Sequence, residues 1–350
     1  ARLGPEDALL QYYVVDGRLH AFLLSIPSSP HPGENVYQVH NLAPAAWLRD
    51  TLAAWQAYLE NSYLHQHAPQ ASLTIAQGRL AQFHQALMSP LEKHLAGRQR
   101  LFLVLPPEFH PLPVAAFFDG RRYLAERFEL VYLSSAAMLM EDEGLPSSVV
   151  RSSSSALSPA LVVGHSNQGQ LPAALLEAQQ VGRTLHTQGR AVQLLLEDEA
   201  RLDQVRQASR ACDLLHLASH ATFRPDNPFF SWVRLADARL TVADLYEMTL
   251  PQRPLVVLSA CETGRGRPRG GGLLGMGRGF LAAGAAGVVV SQWKVGDAAS
   301  AGFMGDFYHS LAGAKGMERD VAHALNQAQR LALSRQPHPY YWAGYIYLRG

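Results

Sequence analysis

The chain has only two cysteines, Cys212 and Cys261, in 350 residues. A secreted disulfide framework needs more, so free thiols in a reducing compartment are expected. Charged residues are also scarce, at 17%, while apolar residues reach 48%. That balance excludes disorder and coiled coil and leaves enough apolar surface for a sizeable core. Neither sign of charge dominates, because 30 Lys+Arg against 29 Asp+Glu leave a net charge of +1. No global basic field therefore points to nucleic acid or to an anionic membrane. No apolar run approaches the roughly 20 residues of a membrane span, and no N-terminal run reads as a signal peptide. A soluble, cytoplasmic protein is expected. The sequence starts at Ala1, straight into structured-looking sequence, as a fragment of a longer protein would.

Two β-prone runs, Ala8–Val15 and Arg18–Ser25, flank Asp16-Gly17. That pair predicts a hairpin, because a type I′ turn needs φ > 0 at both central residues. From about Ala45 to Leu95 the chain reads mainly as helix, with Leu48, Leu52, Trp55, Leu59 and then Leu80, Phe83, Leu87 close to a 3.6 period. Arg100–Leu105, ending in Pro106-Pro107, and Phe128–Leu133 read as strands. Ser147–Ser158 is a serine-rich break, taken as the linker between two halves, 1–150 and 151–350. In the second half, strands near Ala160–Val163, Val192–Leu196, Leu214–Ala218, Leu255–Ser259, Gly287–Ser291 and Ala343–Leu348 are interleaved with helices. The predicted helices run near Leu171–Gln188, Ala200–Ser209, Leu273–Ala283, Ala298–Ala312 and Glu318–Leu333. Such alternation predicts an α/β fold, an open and mostly parallel sheet with helices on both faces.

Ligands in such a sheet bind beyond the carboxyl ends of the strands. Two of those ends carry chemistry. His220 follows the run Leu214–Ala218, and Cys261 follows Leu255–Ser259. If the two strands are neighbours, imidazole and thiol meet at one edge. His220 then supports a thiolate nucleophile or protonates a leaving amine. The backbone N–H of Cys261 and that of a nearby loop residue are candidates for an oxyanion hole. Taken singly, a cysteine after a strand is a small hydrophobe and a histidine there a structural residue. Their coincidence at two strand ends is what favours catalysis.

His220 and a nucleophile turn Ala260-Cys261-Glu262-Thr263-Gly264 lie 41 residues apart, an arrangement resembling that of caspases. LHLASHATF (Leu215–Phe223), LVVLSACETGRG (Leu255–Gly266), the glycine-rich stretch Gly270–Asp297 and YWAGYIYLRG (Tyr341–Gly350) resemble the CHAT family more specifically. So do the opening hairpin and LPPEFHPLPVAAF (Leu105–Phe117). CHAT proteins are caspase-like peptidases often attached to tetratricopeptide repeats. The resemblance implies a caspase-like sheet, a nucleophile at Cys261, its partner at His220, and an N-terminal pseudo-caspase-like half. It also implies a protein or peptide substrate, regulation by a repeat domain or activating partner, and no metal or organic cofactor. Its oxyanion donors are the N–H groups of Cys261 and of residue 221. Residue 221 is often glycine in caspase-like enzymes and here is Ala221, which keeps the N–H with slightly less room. By the same resemblance Trp293 walls the substrate pocket and Asp297 pairs with Arg or Lys of the substrate. Asp297 equally suits the cap of a helix beginning near Ala298, and both roles can hold. A caspase-like body serving as a non-catalytic docking module is the alternative reading.

Weaker motifs read as structure. Gly270–Gly275 matches G-x-G-x-x-G but does not directly follow its strand, so a nucleotide site is not expected. Gly164-His165-Ser166-Asn167-Gln168 lacks the final glycine of a nucleophile elbow. His216 and His220, four apart on a strand, lie roughly 13 Å from each other and cannot share a metal. Thr241–Asp244 resembles a capping box. The basic, glycine-rich segment around Arg265–Arg269 is a solvated loop or, on a sharper reading, a self-cleaved one across 264–272.

Overall fold

The computed structural model describes residues 3–25, 36–61, 67–139, 159–222, 224, 227–259, 272–295, 297–312 and 317–350. The serine-rich break, Cys261 and the Arg265–Arg269 segment lie outside the described residues.

β1 (Asp7–Val15) and β2 (Arg18–Ser25) form the expected hairpin. Its turn places Asp16 at φ 50° and Gly17 at φ 71° and pairs Val15 with Arg18. β3 (Val36–Pro44) extends the hairpin, a strand the sequence pattern did not announce. The helical stretch resolves into α1 (Ala45–Leu59), α2 (Pro69–Leu87) and a 3-10 turn over Ser89–His94. α1 buries Leu48, Leu52, Trp55 and Leu59, and α2 buries Leu80, Phe83 and Leu87. β4 (Arg100–Val104) and β5 (Glu129–Leu133) follow.

The second half runs β6 (Ala160–Gly164), α3 (Pro172–Thr187), β7 (Val192–Leu196), α4 (Leu202–Ser209) and β8 (Leu214–Ala218). Three short strands come next, β9 (Ala221–Thr222), β10 (Trp232–Arg234) and β11 (Arg239–Thr241), then α5 (Val242–Glu247). The chain closes with β12 (Leu255–Ser259), α6 (Gly272–Ala282), β13 (Gly287–Ser291), α7 (Asp297–Ala312), α8 (Met317–Arg335) and β14 (Tyr345–Arg349).

Strands from both halves join one sheet of eleven, ordered β3-β2-β1-β4-β5-β14-β13-β12-β8-β6-β7. β2 pairs antiparallel with β1 and β3, and β14 with β13; the other pairings are parallel. Helices cover both faces, as β14 shows. Tyr345 stacks on Phe303 of α7 with ring centroids 3.9 Å apart. Leu348, three residues on and therefore on the opposite face, packs on Gly277 of α6. The central strands β6, β8, β12 and β13 are buried almost throughout, the run of apolar residues expected of parallel strands with two covered faces. β9, β10 and β11 form a separate antiparallel sheet of three.

Candidate active site

The carboxyl ends of four parallel strands lie level. Gly164 of β6 pairs with Ala218 of β8, and Ala218 with Ser259 of β12. Leu258 pairs with Val290, one residue short of Ser259 and Ser291. His220 stands two residues past this row on β8. Cys261 is two residues past it in the sequence of β12, the adjacent strand, and lies outside the described residues.

His220 is half-buried and held by its surroundings. Its carbonyl accepts the Arg234 N–H at 2.7 Å, and Trp232 meets its ring edge-on at 5.3 Å. The Ser219 hydroxyl donates to the Arg234 carbonyl at 2.6 Å. The small sheet thus clamps the residues on either side of the imidazole. Burial lowers the His220 pKa, and the positive charge of Lys294 lowers it further. Lys294 follows β13, so charges just beyond β13 and β8 reach each other across the end of β12.

Ala221 pairs with Val233. Because the Arg234 N–H goes to the His220 carbonyl, Ala221 and Val233 are a non-hydrogen-bonded pair. The N–H of Ala221 therefore points away from β10. Among the described residues β9 is the edge of its sheet, so that N–H has no ladder partner, although Ala221 itself is fully buried.

Trp293 sits on the same rim, one turn of chain past β13. Its indole N–H donates to the Tyr340 carbonyl at 2.9 Å, and its ring meets Trp55 edge-on at 6.2 Å. Asp297 is the first residue of α7; its side chain lies outside the described residues. Trp232 and Arg234 escaped the sequence reading, since a strand of three residues carries no periodicity; Lys294 lies within the family-like stretch Gly270–Asp297 but received no role there.

The sequence matches the CHAT domain family over residues 77–350. The chain belongs to the CHAT domain family. Among curated relatives, human tetratricopeptide repeat protein 28 is 27% identical over 338 residues, covering 79% of this chain. The mouse protein of the same name is also 27% identical, over 337 residues and 79% of this chain. The chain spans 13% of the length of each. Among solved structures, the Saccharomyces cerevisiae separase-securin complex aligns over 99% of this CHAT chain and 30% of that chain. Its TM-score is 0.60 at 9% identity, a likeness of fold. The CHAT chain thus has a caspase-like fold, a mostly parallel sheet flanked by helices.

The remaining motifs of the CHAT chain are structural in the described residues. The Ser166 hydroxyl donates to the Glu197 carboxylate and accepts the Gly169 N–H at 2.9 Å, so no imidazole activates it. His216 is fully buried. Thr241 and Asp244 exchange capping bonds, Thr241 N–H to carboxylate at 2.8 Å and Asp244 N–H to hydroxyl at 3.1 Å. Cys212 is buried and its thiol is pushed up to about 11 by burial, which leaves it inert at neutral pH. Among the described residues no cluster of His, Cys, Asp and Glu could hold a metal, and no helix is long and apolar enough to cross a membrane.

Proposed function

We propose that this CHAT domain is a cysteine endopeptidase in which Cys261 is the nucleophile and His220 the acid/base. The observation that carries the reading is the level pairing of Ala218 with Ser259. Each is followed two residues later by one member of the pair, on neighbouring parallel strands about 4.8 Å apart. His220, its pKa lowered, is a neutral base for the thiol proton. The thiolate attacks the peptide carbonyl carbon and forms a C–S bond. The resulting oxyanion is held by the N–H groups of Ala221 and Cys261. The C–N bond then breaks, and the amine leaves with the proton from His220. Water attacks the thioester, giving a proton to His220; the C–S bond breaks, releasing the acid and restoring the thiol.

Trp293 is assigned to the wall of the pocket for the residue before the scissile bond, and Asp297 to its charge, which favours Arg or Lys there. On that preference, Arg265–Arg269 is a candidate for self-cleavage. Because the curated relatives bear the name tetratricopeptide repeat protein, an attached repeat domain or a bound partner is the proposed regulator. The working compartment is cytoplasmic.

The test is to incubate wild type, Cys261→Ala and His220→Ala with a proteome and to sequence new N-termini. New termini after Arg or Lys, seen with wild type only, are expected. Termini after Leu, Met or Asp sink the assigned pocket. No new termini and no labelling by a peptide-type thiol inhibitor, even with a partner present, sink the peptidase and leave the docking module.

A further inference from the structure

Beneath the rim, a network of five polar side chains, four buried and Ser259 partly so, surrounds one carboxylate that two of them touch. Glu177 projects from α3 into the core. One of its oxygens accepts the Ser300 hydroxyl of α7 at 3.2 Å. The other faces Nε2 of His216 on β8 at 3.3 Å, a close polar contact that falls short of a well-angled hydrogen bond. Nδ1 of His216 lies 2.9 Å from the Tyr308 hydroxyl. Ser300 also accepts the Tyr345 hydroxyl at 3.0 Å and lies 3.4 Å from the hydroxyl of Ser259, the last residue of β12.

Nδ1 of His216 and the Tyr308 hydroxyl share one hydrogen. Burial holds the Tyr308 phenol protonated, so it has that hydrogen to give. Ser300 donates to Glu177 and has lone pairs for Tyr345 and Ser259.

Filling this space does not require an acid. Buried ionic clusters replaced by apolar groups of similar volume often leave stability unchanged or raised. The backbone ladder already pairs β8 with β12, and this cluster adds a side-chain link between the two strands just below the proposed pair. It grips β8 four residues before His220 and β12 two residues before Cys261. We infer that Glu177 is a positioning residue for the dyad, holding the ends of β8 and β12 in fixed relation through His216 on one side and Ser300 and Ser259 on the other. This rests on the peptidase reading above.

The experiment measures alkylation of Cys261 by iodoacetamide against pH, in a Cys212→Ala background, alongside kcat and KM on a peptide substrate. Glu177→Gln keeps the shape and removes the charge. Ser259→Ala cuts the outermost link with the smallest structural change and serves if Glu177→Gln does not fold. In either variant, with a thermal midpoint near that of the background, we expect kcat to fall about tenfold or more with KM within about twofold. The pH midpoint of alkylation is expected to move with it, and Ser259→Thr, which restores the hydroxyl, is expected to recover most of both. Unchanged alkylation midpoint and kcat in Ser259→Ala overturn the inference and leave the cluster purely structural. If Cys261 in the background protein alkylates no faster than an ordinary free thiol, the peptidase reading itself falls. Because alkylation needs no cleaved peptide, the two failures are told apart.

Discussion

The Arg234 N–H donates to the carbonyl of His220 at 2.7 Å. That single bond sets the phase of the β9–β10 ladder and so turns the N–H of Ala221 away from β10. A residue whose N–H points off an edge strand can become proline without losing a ladder bond. Ala221→Pro therefore keeps every ladder bond and loses one oxyanion donor, while its ring, at a fully buried position, costs about 1–3 kcal/mol of stability by overpacking. Removal of such a donor costs about 10²–10³ in kcat. Ala221→Gly keeps the N–H and is expected to stay near wild type. Peptide hydrolysis by the two variants, with thermal midpoints measured in parallel, checks this. Equal kcat in both removes Ala221 from the oxyanion site.

Lys294 bears on the pH profile. Its charge holds the His220 pKa below its usual value, on top of the effect of burial. Lys294→Gln removes the charge while burial remains. The His220 pKa then rises towards its ordinary value, and the acid limb of kcat/KM moves to higher pH. Lys294 is exposed, so salt should reproduce part of the shift in wild type and little in the variant. An acid limb that stays in place in Lys294→Gln rejects the coupling.

These two expectations rest on residues of unequal visibility in the sequence. The strands β8 and β12 were legible, because buried parallel strands read as short apolar runs, whereas their pairing was only a condition of the sequence reading and comes from the structure. The Asp16-Gly17 hairpin and the buried faces of α1 and α2 were legible for similarly local reasons. β3 was not, since Gln38, His40, Asn41 and Pro44 break any apolar alternation. Nor was the insertion of β14 between β5 and β13, which depends on packing remote in sequence. The clamp on His220 is of the same kind. Trp232 and Arg234 belong to a strand of three residues, and Lys294 comes from the segment after β13, remote in sequence.

Gly344 lies against the indole of Trp293, where a Cβ would come within 2.9 Å of the ring. The ring has little room to yield, being held by Trp55 on one side and by the Tyr340 carbonyl on the other. Gly344→Ala is expected to displace Trp293 at a cost of about 1–3 kcal/mol, the usual range for overpacking. Denaturant unfolding measures the cost. If Trp293 walls the substrate pocket, KM rises while the rate of Cys261 alkylation does not change. A variant with lower stability and unaltered KM assigns Trp293 to packing alone.

His110 links stability to pH. It is buried beside Arg278 of α6, with Nε2 3.1 Å from the Leu105 carbonyl and 3.4 Å from the guanidinium. Burial first, and the Arg278 charge second, bring its pKa from 6.5 down to about 4. The folded chain thus keeps His110 neutral where the unfolded chain protonates it. Unfolding takes up a proton between these two values, so stability is intact above pH 6.5 and is lost as pH falls towards 4. By pH 4 the loss attributable to this residue is about 3 kcal/mol. His110→Gln preserves a side-chain N–H for the Leu105 carbonyl and has no proton to take up. Urea midpoints of wild type and variant at pH 7 and pH 4.5 make the comparison. The variant is expected to be the less stable at pH 7 and to lose less on acidification. Parallel losses in the two proteins would show that His110 is already charged in the folded state, or that the acid sensitivity lies in other groups.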